Sequence, residues 1–147
     1  MTTQKKIISN SENYKIYSEF AKNRKVVLHH GDSLKFLKTI PDDSLNLIVT
    51  SPPYNIGKEY EEKTTLEAYL KNQEIIIRHL HNKLKSDGSV CWEVGNYVNN
   101  GEIYPLDIYF YDIFKSIGMK LRNRIVWHFG HGLHCKNRFS GRYETIL

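Results

Sequence analysis

Cysteine is scarce in this chain: Cys91 and Cys135 are the two in 147 residues. With Cys91 in an expected strand and Cys135 in a polar loop, they give no disulfide framework. No apolar run approaches the roughly 18 residues that cross a bilayer, and the N-terminus lacks a signal-peptide core. A cytoplasmic location with no membrane partner is therefore expected. None of the nine glycines falls in a glycine-rich strand–loop–helix setting. Gly130-His131-Gly132 has that spacing, but no acidic partner or helix follows it. There is no internal repeat and no low-complexity tract. From Lys120 to Arg142 acidic residues are missing altogether.

Hydrophobic content of 40% and aromatic content of 12% can supply a core, which excludes wholesale disorder. A net charge of +5 favours polyanions weakly in itself, but its distribution is more informative. Lys120, Arg122, Arg124, Lys136, Arg138 and Arg142 fall in the acid-free stretch with His128, His131 and His134, interleaved with Trp127, Phe129 and Phe139. Cations interleaved with aromatics suit phosphate contacts and stacking, and Arg124, His131, Arg138 and Arg142 are the candidate DNA contacts. A solvated basic loop is the plainer alternative. The run from His128 to Cys135 does not match zinc-ligand spacing and has no second pair to close a tetrahedron, so no metal is expected.

Residues 1–25 read as a polar extension, with a short helix around Tyr14–Phe20. Strands are expected at 26–30, 45–50, 89–94 and 120–127, and helices at 33–38, 66–85 and 105–117. Another strand begins at Tyr143. Thr64 or Thr65 is the candidate cap of the long helix, whose Leu66, Tyr69, Leu70, Ile76, Ile77, Leu80 and Leu84 have helical spacing. Residues 57–65 look like a charged, mobile loop. Strands alternating with helices predict an α/β fold with a parallel-rich sheet. Ligands in such sheets bind at the carboxyl ends of strands.

One of those ends holds the most specific object in the chain. Leu45-Asn46-Leu47-Ile48-Val49 runs into Thr50-Ser51-Pro52-Pro53-Tyr54-Asn55. Pro52 and Pro53 fix φ and lack N–H groups, so the turn is stiff and its carbonyls are acceptors. An exocyclic amine of cytosine or adenine is a poor nucleophile because its lone pair is delocalised into the ring. Acceptors at Ser51 Oγ and the Pro52 carbonyl would favour a pyramidal nitrogen and stabilise its growing positive charge. Tyr54 offers a π-face to a base that has left its stack. The bland alternative is a rigid turn with a packing tyrosine. Asp32, after a strand and Gly31, should also sit at a carboxyl edge and reads as the cap of the helix that starts near Ser33. Trp92 and Tyr97 line that edge or belong to the core.

With these residues in view, the chain resembles the amino-methylating DNA methyltransferases that use S-adenosyl-L-methionine. The resemblance runs from about Val26 onward. It is carried by His30-Gly31-Asp32-Ser33-Leu34, Pro41-Asp42-Asp43-Ser44-Leu45, Thr50 to Gly57, Gly88 to Trp92 and Arg122 to Trp127. It implies a Rossmann-like methyltransferase sheet in which the catalytic half comes first. Residues 26–147 would be a partial catalytic domain without the aromatic-x-Gly-x-Gly cofactor loop, apparently truncated at the C-terminus and inactive alone. The implied catalytic residues are Ser51, Pro52, Pro53 and Tyr54, with Asp32 near the cofactor. Implied partners are double-stranded DNA and a second polypeptide supplying the cofactor-binding half. In this family serine at position 51 leans toward cytosine N4 and aspartate toward adenine N6, which favours cytosine slightly. The implied function is a site-specific methyltransferase of a restriction–modification system. A non-catalytic nucleic-acid-binding remnant and an RNA amine methyltransferase are the alternatives.

Overall fold

The computed structural model describes residues 15–59, 61–130, 132 and 139–147. The chain divides into two compact units, one ending at Ile40 and one spanning Pro41–Leu147.

In the first unit, β1 (Ile16–Tyr17) pairs in parallel with β2 (Val26–Val27). Leu28 N–H extends the pairing to the Tyr17 carbonyl at 2.8 Å. A helix had been expected around Tyr17, but a β-branched and an aromatic residue facing two valines prefer a ladder. The expected strand at 26–30 is only two residues long. Next comes α1 (Ser33–Leu37), capped by Asp32, whose carboxylate accepts from Lys35 N–H at 2.8 Å.

The second unit is built on a four-stranded sheet of order β3-β4-β8-β7, where β3 is Leu45–Thr50, β4 Leu84–Val94, β7 Ile125–His128 and β8 Tyr143–Ile146. The sheet is mixed: β3 and β4 run parallel, while β8 is antiparallel to both β4 and β7. β4 starts directly after α2 (Leu66–Lys83). Residues 86–88, between the expected helix and the expected strand, form an irregularity within the β3–β4 pairing. A Cβ on Gly88 would lie 3.0 Å from the carbonyls of Leu45 and Lys85, so the backbones can approach there only without a side chain.

α2 is capped by Thr65, which accepts from Ala68 N–H at 3.2 Å. It buries Tyr69, Gln73, Ile77 and Leu80, a stripe at helical spacing. α3 (Leu106–Ser116) buries Leu106, Asp107 and Phe110. Trp92 of β4, 1% exposed, packs against Phe110 and Phe114 with ring centroids 5.4 and 5.6 Å away. Strand alternation puts Ile48, Thr50, Trp92 and Val94 on this covered face. It puts Leu47, Val49 and Glu93 on the other, where Leu47 and Val49 are exposed.

Between β4 and α3 lies a hairpin that pattern reading did not anticipate, β5 (Asn96–Asn99) with β6 (Glu102–Pro105). Asn100 (φ 49°) and Gly101 (φ 83°) make its turn. Asn-Gly is the pair that two consecutive positive φ values favour.

Candidate functional site

Thr50 ends β3 opposite Trp92 of β4, so residues 51–55 leave the sheet at the carboxyl rim of a parallel pair, where ligand crevices form in such folds. Ser51 and Pro53 are exposed and Pro52 is buried. Tyr69 of α2 donates its hydroxyl to the Pro53 carbonyl at 2.6 Å, tying the turn to the helix. Burial, then Glu61 and Tyr54, raise the Tyr69 phenol above its ordinary pKa, so it stays a donor. The Pro52 carbonyl takes no donor among the described residues.

Tyr54 is half-buried, and its hydroxyl oxygen lies 2.8 Å from Ser51 Oγ. Its ring edge rests against Gly95, just past the end of β4. A Cβ at Gly95 would come within 3.0 Å of Tyr54 Cε2. Burial pushes the phenol up to about 12; the Ser51 hydrogen bond opposes the rise, and Glu144 and Glu93 add to it. Tyr54 is therefore a neutral phenol in a hydrogen-bonded chain as well as an aromatic plate.

Sequence reasoning missed the residues that hold this turn. Asn55 has φ 60° and is 2% exposed. Its amide donates to the Thr64 carbonyl and accepts from Thr64 N–H, both at 2.8 Å. The Glu61 carboxylate accepts from the N–H groups of Asn55 and Ile56 at 2.8 Å and of Lys58 at 3.2 Å. The loop expected to be mobile is closed by these bonds, several of them charge-assisted. The available signal was an Asn directly after Pro-Pro-Tyr: asparagine tolerates the left-handed region and carries both a donor and an acceptor.

Glu93 and Glu144 were also missed, because only strand register brings them together. β4 pairs with β8 as Glu93↔Ile146 and Val94↔Thr145, so Glu144 falls on the face that carries Glu93. Burial, followed by Glu93, raises the Glu144 carboxyl above its ordinary pKa, while Tyr54 lowers it.

Asp32 belongs to the first unit and caps α1. Its second carboxylate oxygen has no partner among the described residues. Arg124 pairs with the buried carboxylate of Asp107, Nε donating at 2.8 Å and Nη2 to the same oxygen, and half of its side chain stays exposed. Arg142 is exposed, and its carbonyl accepts from Phe129 N–H at 2.9 Å. His131 and Arg138 lie outside the described residues, as do His134 and Cys135 of the histidine-rich run. Trp92 and Tyr97 are core residues. A cavity of about 910 Å³ opens at the other end of β4, lined among others by His81, Lys85, Lys115, Lys120 and Arg122. Ser51 and Tyr54 stand apart from it on the open rim.

A sulfonium-bearing nucleoside needs carboxylate and carbonyl partners for its ammonium and ribose hydroxyls. Asp32, exposed and with one oxygen uncommitted, fits that need in kind. Among the described residues no helix is long and apolar enough to cross a membrane.

Over 133 residues the chain is 51% identical to the Type II methyltransferase M.BglII from Bacillus subtilis, covering 90% of this chain and 37% of that protein. It is 38% identical over 125 residues to the Type II methyltransferase M.ScaI from Streptomyces caespitosus, covering 83% and 40%. The chain thus spans about two fifths of the length of these two relatives. A solved structure of TTHA0409, a putative DNA modification methylase from Thermus thermophilus complexed with S-adenosyl-L-methionine, superposes with a TM-score of 0.63 at 25% identity. That match covers 79% of this chain and 49% of the other. The model of the N6/N4 methyltransferase family, described as DNA methylase, matches residues 45–147, from the start of β3 through the Ser51–Tyr54 rim to the end of β8. Because that match spans more than half of its residues, this chain belongs to the N6/N4 DNA methylase family.

Proposed function

We propose that this chain supplies the amine-holding part of a site-specific DNA methyltransferase of a restriction–modification system. The reaction is transfer of a methyl group from S-adenosyl-L-methionine to an exocyclic base amine, cytosine N4 ahead of adenine N6. The observation that carries this reading is exposed Ser51, hydrogen-bonded through Oγ to the half-buried Tyr54, followed by a buried Pro52 whose carbonyl takes no donor among the described residues. S-adenosyl-L-methionine supplies, when bound, an electrophilic methyl carbon. The chain's own residues hold the nucleophile: the base is flipped against Tyr54, and its two N–H groups donate to Ser51 and Pro52. The nitrogen lone pair is thereby turned outward, and the charge growing on it meets preorganised acceptors.

The neutral hydroxyl of Ser51 supports the preference for cytosine. The Type II names of M.BglII and M.ScaI support the restriction–modification setting, and the ligand of TTHA0409 supports the methyl donor. Asp32 is assigned to the cofactor side. Arg124, His131, Arg138 and Arg142 are assigned to the DNA, with Arg124 also bracing α3 through Asp107. Residues beyond those of this chain, or a second polypeptide, complete the cofactor side, and the chain alone is inactive.

The test is transfer of labelled methyl groups to duplex DNA by the chain alone and with the part of M.BglII that it does not span. Ser51→Ala and Tyr54→Ala should each lower transfer by about 10² or more, with DNA binding close to that of the parent. Transfer at parental rates in either variant rejects the role assigned to that residue.

A further inference from the structure

We propose that the backbone N–H groups of Asn55, Ile56 and Lys58 form a phosphate site for the target DNA strand, held in the free chain by the Glu61 carboxylate; this rests on the reading of DNA as substrate above. The three N–H groups converge on one anion. Asn55 donates to Glu61 Oε2 at 2.8 Å, and Ile56 and Lys58 donate to Oε1 at 2.8 and 3.2 Å. Alternation of left-handed with other backbone turns neighbouring N–H groups to one side and makes an anion-binding concavity, a nest. Asn55 (φ 60°) and Gly57 (φ 77°) are the left-handed residues of this one. A carboxylate presents two charged oxygens on one centre, as a phosphodiester presents its two non-bridging oxygens.

The carboxylate is not what closes the loop. The Asn55 side chain bonds both backbone groups of Thr64 at 2.8 Å, and Tyr69 holds the Pro53 carbonyl. Those bonds stay when Glu61 leaves. Glu61 is returned to the nest by a short turn of its own, its N–H donating to the Lys58 carbonyl at 2.9 Å. Asn55 is buried, but Ile56, Gly57, Lys58 and Glu59 are exposed. The nest therefore opens to solvent on the side where an incoming oxyanion meets it.

Position selects the ligand. The first N–H of the nest belongs to the peptide group that follows Tyr54, the plate against which the base rests. A flipped nucleotide carries its own phosphates one sugar away from the base, a reach of a few residues at about 3.8 Å each. Phosphate contacts fix register without reading sequence, which suits a site beside the reacting base. Between Lys58 and Lys63 the loop carries Glu59, Glu61 and Glu62. A strand that leaves Glu61 in place meets carboxylates, whereas one that displaces it gains the donors of the nest. Glu61 thus stands in for the phosphate and competes with it.

The first measurement is amide proton–nitrogen NMR of the full chain and of Glu61→Ala, titrated with dimethyl phosphate. In Glu61→Ala the Asn55, Ile56 and Lys58 resonances should move downfield and saturate, at about a tenth of the concentration that moves them in the parent. The Thr64 amide, which reports the Asn55 closure, should stay in place. Glu61→Gln, which keeps an acceptor without the charge, should fall between the two. Amides that ignore the diester in Glu61→Ala, or respond equally in parent and variant, overturn the proposal. Displacement of Thr64 in Glu61→Ala also overturns it, since Glu61 would then be a strut of the loop. Saturation by S-adenosyl-L-methionine with no response to the diester makes the nest a carboxylate site for the cofactor and overturns it as well.

The second measurement is transfer to duplex DNA with the remainder of M.BglII supplied. Glu61→Ala should lower KM for DNA about tenfold, because the competitor is gone. If Ser51→Ala abolishes transfer while Glu61→Ala leaves KM unchanged or raises it, this inference falls and the amine-holding reading stands. If Ser51→Ala retains transfer, that reading falls, and the response of the three amides to the diester still decides this one.

Discussion

Buried at φ 60°, Asn55 satisfies its amide on both backbone groups of Thr64, and in doing so closes the loop that follows the motif. Asn55→Ala removes both bonds, strands the Thr64 groups, and puts a side chain with no polar compensation in the left-handed region. Destabilisation of about 2–3 kcal/mol is expected, read as a fall in the urea midpoint with an unchanged slope. Glu144 makes a second prediction, about pH. Its folded pKa is raised, so the fold favours its protonated form. Its contribution to stability is fully present below the unfolded carboxylate pKa and is lost as pH rises through the folded value. Glu144→Gln should therefore remove a decline in melting temperature that the parent shows over that interval; an identical decline in the variant would contradict it. The contrast between these residues shows what a sequence exposes. Ser51 to Tyr54 stand out in the sequence because they are consecutive and stiff. Glu93 and Glu144 do not, because only the pairing of β4 with β8 puts them on one face.

At the scale of elements, the parts with their own period or cap were visible. α2 has an apolar stripe and Thr65 at its start, α3 ends before Gly118 (φ 87°), and β3 is an apolar run into two prolines. Replacing Thr65 by alanine should cost about 1 kcal/mol, measurable as a lower urea midpoint. The same change at exposed Thr39, whose hydroxyl only bonds the Phe36 carbonyl, should cost less. Elements without such signals were misjudged. β1 is two residues long and exists through its pairing with β2. The expected strand at Lys120 starts only at Ile125, with Arg124 turned to Asp107. The β5–β6 hairpin was legible in principle from Asn100-Gly101 between alternating residues, and was missed because attention went to longer runs.

Across the whole molecule, the anticipated parallel-rich sheet is mixed, since β8 inserts between β4 and β7 in the opposite sense. Register is not written in any one segment, so the order of those strands could not be read from periodicity. Charge is a property of the same scale. With +5 overall and cations concentrated from Lys120 to Arg142, DNA binding should weaken steeply with salt. Arg142→Ala should lower the slope of log K against log salt by about 0.9 if its guanidinium neutralises one phosphate. An unchanged slope would remove Arg142 from the interface.

The central claim is that Ser51 and Pro52 hold a base by its exocyclic amine. Its most direct test is mass-spectrometric identification of the methylated nucleoside formed by the reconstituted enzyme, with Ser51→Ala assayed in parallel. The account predicts N4-methylcytosine, or N6-methyladenine as the lesser expectation, and loss of product in the variant. A methyl group on ring carbon, or undiminished amine methylation in Ser51→Ala, would contradict it.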